Sequence, residues 1–357
     1  MKKFYSTIFS MLALLASGGV QAQDAAAQDT SRQDKEYANP SVEGNPRGRF
    51  LIFRYERQFN YDFTSQAHHL DVPDPTNKEV KIDHSNIAEI KGFVPLFNNP
   101  HFKAVLGVSY EREEFNFNGT EGSQSNFLFH QNLQDKGLKS LSAQFAFLHP
   151  LNYTNFLTWR IKGQLNGDYT AENEGLSPMD YFRSTAEIGY GWKKNKNLAY
   201  GIGLQFGYTF GRKSVLPAIL YNQTFNDHWG IESVFPAAVK LRYRASEKTY
   251  FYGGYNVEGY SYVIGIRKPP FEDDAAFKGL ESVELRHNDI KAHLRWEQEI
   301  YDFIWFSLEG GYRHNLAYDV FEEGSKRDRK LIKIDVGGAP YAQAEIYLVV
   351  PKAFLKR

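Results

Sequence analysis

The sequence predicts an all-β fold, a transmembrane antiparallel up-and-down β-barrel of about 14 strands. Three observations carry this. In the stretch 198–210 every even position is large and apolar (Leu198, Tyr200, Ile202, Leu204, Phe206, Tyr208, Phe210), while the odd ones are Ala199, Gly201, Gly203, Gln205, Gly207 and Thr209. Such alternation is a strand with one apolar face, and at about 3.3 Å per residue it is roughly 40 Å long, enough to cross an outer membrane at a tilt. Second, the chain opens with an export signal, yet no later run reaches the roughly 18 apolar residues of a transmembrane helix. Third, short turns and mostly long polar loops alternate along the remaining chain.

The signal is residues 1–22: Lys2 and Lys3, an apolar core from Ile8 to Ala16, then small residues up to a cut after Ala22. With no cysteine in the chain, disulfides, a lipidated N-terminal cysteine and Cys-based metal sites are excluded. The 42 Lys and Arg balance 42 Asp and Glu, which argues against a nucleic-acid partner. Aromatic residues make up 16% of the chain, and a barrel hides them from window hydropathy because alternate residues face a polar lumen. Residues 23–48, rich in Ala, Gln, Asp, Ser, Asn and Pro, read as a disordered periplasmic lead. The barrel is expected over 49–357.

The first strand puts Leu51, Phe53, Tyr55, Phe59, Tyr61 and Phe63 outward, with Arg54, Glu56, Gln58, Asn60 and Asp62 inward. A polar loop (65–78) and a strand to Leu96 follow; the turn Asn98-Asn99-Pro100 then leads into Phe102, Ala104, Leu106, Val108 and Tyr110 on one face. After a polar segment (118–137), Leu141, Ala143, Phe145 and Phe147 form a strand. Past the turn 152–155, Leu157, Trp159, Ile161 and Leu165 alternate with Thr158, Arg160, Lys162, Gln164, Asn166 and Asp168. Phe182, Ala186, Ile188, Tyr190 and Trp192 lead through the turn 194–197 to the stretch 198–210. A tight reversal at 211–214 gives a strand over 215–225, and the turn Asn226-Asp227-His228 a shorter one to Phe235. Pro236 cannot sit inside a central ladder, so a reversal is placed there. Val239, Leu241 and Tyr243 alternate with Lys240, Arg242 and Arg244 up to Ser246-Glu247-Lys248, and a strand runs over 249–262. After a loop (267–280), Ile290, Ala292, Leu294 and Trp296 alternate with Lys291, His293, Arg295 and Glu297; Tyr301-Asp302-Phe303 turns into a strand through Phe306, Leu308 and Tyr312. A charged loop (322–330) precedes the closing strand, 340–350.

This count gives 14 strands with both ends on the short-turn side, hence both termini in the periplasm. Taking 229–244 as one bent strand would give 13, and 12 follows if the strand bearing Pro217 or the Pro236 hairpin does not span. Trp159, Trp192, Trp229, Trp296 and Trp305 all lie close to short turns, as expected of an interfacial aromatic girdle. The first four share the outward phase of their strands; Trp305 does not, which suggests a bulge.

The inward positions carry balanced charge: Arg54, Arg160, Lys162, Arg183, Lys240, Arg242, Arg244, Arg295 and Arg313 against Glu56, Asp62, Glu111, Asp168, Glu187, Glu232, Glu297 and Glu309. They read either as a pore lining that selects solutes by charge or as an ion-pair network that closes the lumen. Lys240, Arg242, Arg244 and Lys162 could together attract an anion. His68-His69 with Asp71 and Asp74, and Glu272-Asp273-Asp274, are acidic or histidine-rich runs in polar loops, where solvation is the simpler reading; no metal or cofactor is expected. No catalytic residue is assigned: His84-Ser85 face opposite sides, and His287, Asn288 and Asp289 have no nearby serine. The inward glycines of 201–211 lack a following lysine and helix, which excludes a phosphate loop, and make room in the lumen.

With Leu216-Pro217-Ala218-Ile219-Leu220-Tyr221-Asn222-Gln223, Trp229-Gly230-Ile231-Glu232-Ser233-Val234-Phe235-Pro236 and Lys240-Leu241-Arg242-Tyr243, the chain resembles an uncharacterised family of outer-membrane β-barrel proteins from Gram-negative bacteria of the Bacteroidota type. The resemblance, from about Arg49 onward, implies an outer-membrane barrel and no particular substrate or site residue. Its implied partners are outer-membrane lipids and the barrel-assembly machinery. A terminal aromatic usually serves that machinery as a signal, whereas here Phe354 is followed by Leu355-Lys356-Arg357. The expected function is a channel or transporter for small polar solutes. The alternatives are a structural or surface-interaction barrel with a plugged lumen, and a lipid-modifying hydrolase.

Overall fold

The computed structural model describes residues 37–67, 78–118, 128–170, 176–266, 277, 279–324 and 329–351. Its strands are β1 (Arg49–Ala67), β2 (Lys78–Asn99), β3 (Phe102–Asn118), β4 (Leu138–Pro150), β5 (Asn155–Gly167), β6 (Phe182–Asn195), β7 (Leu198–Thr209), β8 (Arg212–Thr224), β9 (Trp229–Phe235), β10 (Ala238–Ser246), β11 (Thr249–Gly265), β12 (Ser282–Tyr301), β13 (Ile304–Glu322), β14 (Lys330–Val336) and β15 (Ala339–Val349). One helix, α1 (Leu128–Lys136), lies between β3 and β4. Each strand from β1 to β13 pairs antiparallel with the next, and β1 pairs with both β14 and β15, which also pair with β13. β14 and β15 are therefore one stave broken at Gly337-Gly338, and the ring closes with 14 staves. A Cβ on Gly338 would lie 2.3 Å from the Tyr312 hydroxyl, so a larger residue there would push that ring aside.

Turns and phases follow from local chemistry. β7 and β8 are joined by Phe210-Gly211, both at positive φ (48° and 77°), the geometry that matches strand twist in a two-residue hairpin. β8 thus begins at Arg212, three residues earlier than its apolar pattern suggests. The outward face is apolar along the ring, with Val108, Ile161, Ile188, Ile202 and Ile219 all exposed. Near the short turns Trp159 stacks on Phe147 (centroids 4.0 Å apart), Trp192 on Tyr200 (5.5 Å), Trp229 packs on Tyr243 (4.8 Å), and Trp296 meets Phe306 edge-on (6.3 Å).

Three expectations need correction. Asn60 has φ of 24°, a conformation asparagine tolerates better than most residues, and beyond it the pleat of β1 inverts. Tyr61 and Phe63 are buried inside the barrel rather than outside, and Asp62 faces out. Trp305 keeps the alternation of β13 and is buried inside the short-turn end, among Tyr250, Tyr252, Tyr347 and Val349; the irregularity lies opposite it, where β12 shifts register between Glu299 and Tyr301. The segment 118–137 is not all loop, because α1 carries Phe129 and Leu133 one turn apart on a fully buried face. Gly137, at φ 62°, ends the helix by donating its N–H to the Leu133 carbonyl (2.9 Å), a left-handed C-cap.

The lumen is filled at both ends. At the long-loop end α1 sits on an apolar core that includes Phe63, Phe115, Phe117, Tyr262, Leu285 and Val320. Asp168 pins the helix, accepting from Asn132 Nδ2 (3.0 Å), Lys136 Nζ (3.2 Å) and the Gly265 N–H (3.1 Å). At the short-turn end residues 37–48 run along the rim in place of a disordered lead: the Ala38 N–H donates to Asn152 O (3.1 Å), the Glu43 N–H to Lys196 O (2.8 Å), and Arg47 pairs with Glu299 (3.2 Å). Lys196 Nζ, 2.8 Å from Glu43, holds that carboxyl below its ordinary range. Residues 23–36 and the signal peptide lie outside the described residues.

His130 of α1 is buried, stacked on Phe117 and 2.7 Å from Ser65 Oγ; burial pushes its pKa down to about 3. A histidine depressed from about 6.5 stabilises the fold above that pH and loses the contribution as pH falls, by about 1.4 kcal/mol per unit for one proton. Hydrogen-exchange protection of α1 should therefore drop steadily from pH 6.5 to 4, and His130→Phe should flatten that slope.

Candidate functional site

The interior between the two plugs divides into a charged half and an open half. On the charged half, Arg54 of β1 pairs with Glu89 of β2 and Glu111 of β3, each at 2.8 Å. Lys291 of β12 donates to both oxygens of Glu56 on β1 (2.8 and 2.9 Å) and contacts Glu258 of β11 (2.9 Å). The Tyr260 hydroxyl donates to Glu111 (3.4 Å). Arg54–Glu89 and Lys291–Glu258 join ladder neighbours, whereas Lys291–Glu56, Arg54–Glu111 and Tyr260–Glu111 join strands that are not neighbours in the sheet. Alternation put Arg54, Glu56, Glu111 and Lys291 on the inner face, and Glu89, Lys91 and Glu258 share it: Lys91 pairs with Glu89 (2.7 Å). Which charges meet across the lumen depends on strand order around the ring and cannot be read along one strand.

The remaining inward charges form smaller groups. Arg295 pairs with Glu345, with Glu297 (2.9 Å) and with Glu309 (3.4 Å), and Glu309 accepts from the Tyr341 hydroxyl (2.8 Å). Arg313 donates to Asp289 (3.3 Å) and lies over the Tyr61 ring. Arg183 donates to both Glu323 oxygens (3.1 Å each) and to Ser261 Oγ (3.1 Å). Arg242 pairs with Glu232 (2.9 Å) and reaches the rim segment through Asn45 and the Glu43 carbonyl. Arg244 binds the turn carbonyl of Asp227 (3.0 Å) at the short-turn rim. Arg160 donates through Nε to Glu187 (3.0 Å). The expected group of Lys162, Lys240, Arg242 and Arg244 is not assembled, since Arg242 and Arg244 are taken up at the rim and Lys162 faces a different space.

That space is a cavity of about 620 Å³ beside the charged lattice. Arg54, Glu89, Lys91 and Glu111 form one wall; β5 to β8 form the other, with Arg160, Lys162, Glu187 and Gln205 beside glycine and apolar groups. Gly189 lies directly across from Gly203 and Gly191 from Gly201. A Cβ on Gly191 would come within 2.2 Å of the Phe156 ring, and one on Gly201 within 2.7 Å of the Tyr190 carbonyl, so glycine is required for this wall. β8 contributes Leu216, Ala218 and Leu220 to the inner face and Val215, Pro217 and Ile219 to the outer one. Its run Val-Leu-Pro-Ala-Ile-Leu is apolar on both faces, a visible signal that this part of the lumen is not purely polar. Among the described residues, Lys162 has no ion pair and no hydrogen bond.

His287 and Asp289, two apart, share the inner face and are bonded at 3.3 Å, with His287 stacked on Tyr262. Asp289 is engaged further by Arg313 and Asn315. His84 is bonded to Asp83 (2.7 Å), and Ser85 is buried. His68, His69, Asp71 and Asp74 and the run 272–274 lie outside the described residues, among which no three His, Asp or Glu gather as metal ligands.

Lys291→Met strands the buried Glu56 carboxylate and removes one partner of the half-buried Glu258; removing one partner of a buried pair costs about 3–5 kcal/mol. Urea unfolding in detergent followed by tryptophan fluorescence should show a loss of that size, much of it recovered on adding Glu56→Gln.

A search of curated protein sequences returns no match. Among solved structures the chain is similar to the NanC porin (8% identity, TM-score 0.35, 84% of this chain and 100% of that one). It is similar to the Pseudomonas putida toluene transporter TodX (9%, 0.35, 87% and 95%) and to the Escherichia coli outer-membrane protease OmpT (9%, 0.28, 86% and 100%). The domain of unknown function DUF6268 matches residues 110–328, more than half of the chain, and the protein belongs to that family.

Proposed function

We propose that the protein is an outer-membrane channel or transporter for small solutes, with the cavity beside β5 to β8 as the place where the solute sits. The observation that carries this is the emptiness of that half of the lumen. Interiors are packed to crystal-like density and unfilled space costs stability, so a barrel serving only as a scaffold would fill the gap with large side chains. Here paired glycines keep it open, and its volume falls in the range of small-molecule sites. Exchange through the barrel ends requires α1 or residues 37–48 to move. A signal peptide and an even number of staves support export to the outer membrane with both termini periplasmic. The hairpin residues 216–236 support a Bacteroidota-type source. Outer-membrane lipids and the assembly machinery are then the general partners, and we assign the protein no chemistry of its own.

A second reading, a surface-interaction barrel, is favoured by the plugs at both ends. Swelling of proteoliposomes in small sugars and conductance in planar bilayers separate the two. The channel reading expects swelling and current steps, with Ala218→Trp, which fills the cavity from β8, lowering permeation several-fold. Folded protein that gives neither swelling nor steps belongs to the second reading. Labelled phospholipid should show no turnover, and turnover would favour the hydrolase.

A further inference from the structure

The barrel wall has a break. β8 pairs with β7 over Arg212 to Gln223, but with β9 only over Ile219 to Thr224. β11 pairs with β12 along its whole length, but its last partner in β10 is Ala238, opposite Asn256, followed by one bond from the Val257 N–H to Ala237 O (2.7 Å). The cause is the short hairpin: β9 has 7 residues, below the roughly 9 to 11 a tilted strand needs to span. Its tip rises only about 15 Å above Trp229, against an apolar band of roughly 25 Å. Above that tip the edge of β8 over residues 212–218 and that of β11 at 257–258 have no ladder joining them among the described residues, which leaves a gap. The β7–β8 turn closes the gap from above, where Phe210 packs against Gly259; a Cβ on Gly259 would lie 2.5 Å from the Phe210 Cα. Further along, Val263 pairs in parallel with Gly167 of β5.

Unpaired strand edges are not tolerated against hydrocarbon unless they line a wet or ligand-filled space. The cavity supplies that space: Leu216, Ala218, Val257 and Gly259 flank the gap, Pro236 lies below and Phe210 above, and all six line the cavity. Pro217, whose missing N–H excludes it from a central ladder, sits in this free edge. The inner face of β8 is apolar next to the gap, while Lys162, with no anionic partner, lines the same cavity on β5, near Lys91 and Arg160 as well as Glu89 and Glu111.

We infer that the gap is a lateral window through which a single-chain amphipathic carboxylate passes between bilayer and lumen, its tail along Leu216, Ala218 and Leu220 and its carboxylate on Lys162. This rests on the cavity assigned above as the solute site, and its path does not require the plugs to move. The chain has no cysteine, so single cysteines carrying bimane can be placed at Leu216 (inner face, at the gap), Ile219 (outer face) and Thr185 (inner face, away from the gap) in vesicles of brominated phosphatidylcholine. Expected is quenching at Leu216 as strong as at Ile219 and absent at Thr185, relieved by decanoate but not by decanol, with Lys162→Gln raising the decanoate needed at least tenfold. Ala218→Cys replaces Leu216→Cys if the latter fails to fold. Leu216 as protected as Thr185 would mean a sealed wall and overturn the window. Equal action of decanoate and decanol, or an unchanged response in Lys162→Gln, would overturn the carboxylate assignment. Relief by decanoate without sugar-driven swelling supports the window while removing the end-to-end channel, so the two readings fail separately.

Discussion

A strand in hydrocarbon can send its N–H and C=O groups only to another strand, and the closed ring of ladders from β1 to β13 and back through β14 and β15 meets that demand. Ring closure fixes which faces see lipid and which see the lumen, and it makes any interruption of pairing conspicuous. At Gly337-Gly338 the interruption is local, because the flanking segments pair with the same two neighbours. Between β8 and β11 the neighbours themselves stop short, and the ring is held there by the turn on Gly259 and the bridge to β5.

Enclosing so many charges within a low-dielectric wall is unfavourable unless each meets a partner. Most do. Arg54, Lys291 and Arg295 each contact two or more carboxylates, and those of Arg54 and Lys291 tie β1, β2, β3, β11 and β12 together through side chains in the lumen. On the opposite side the glycine pairs of β6 and β7 remove side-chain bulk, and Lys162 faces the resulting space uncommitted. One half of the interior therefore serves as structure and the other is available for a ligand.

The two ends are closed by different means. At the long-loop end the closure is apolar and includes an inserted helix tied to Asp168. At the short-turn end it is aromatic, with Trp305 and three tyrosines under a rim strap that reaches Arg242 and Glu299.

By itself the sequence determined the barrel and the lipid-facing phase of most strands, and favoured 14 staves over 13 or 12, because a period of two is written along each strand and needs no partner to be read. Wherever a backbone angle resets the pleat, that reading fails: Asn60 turns Tyr61 and Phe63 inward with no change in composition to announce it. Trp305 looked irregular because proximity to a turn says how deep a residue lies, not which face it takes. The tertiary structure alone decided which inward charges meet, that 128–136 folds into the lumen, that 37–48 lines the rim, and that β9 and β10 leave a gap beside an open cavity. All of these depend on distances across the ring, set by strand order and register, and no single stretch of chain encodes them.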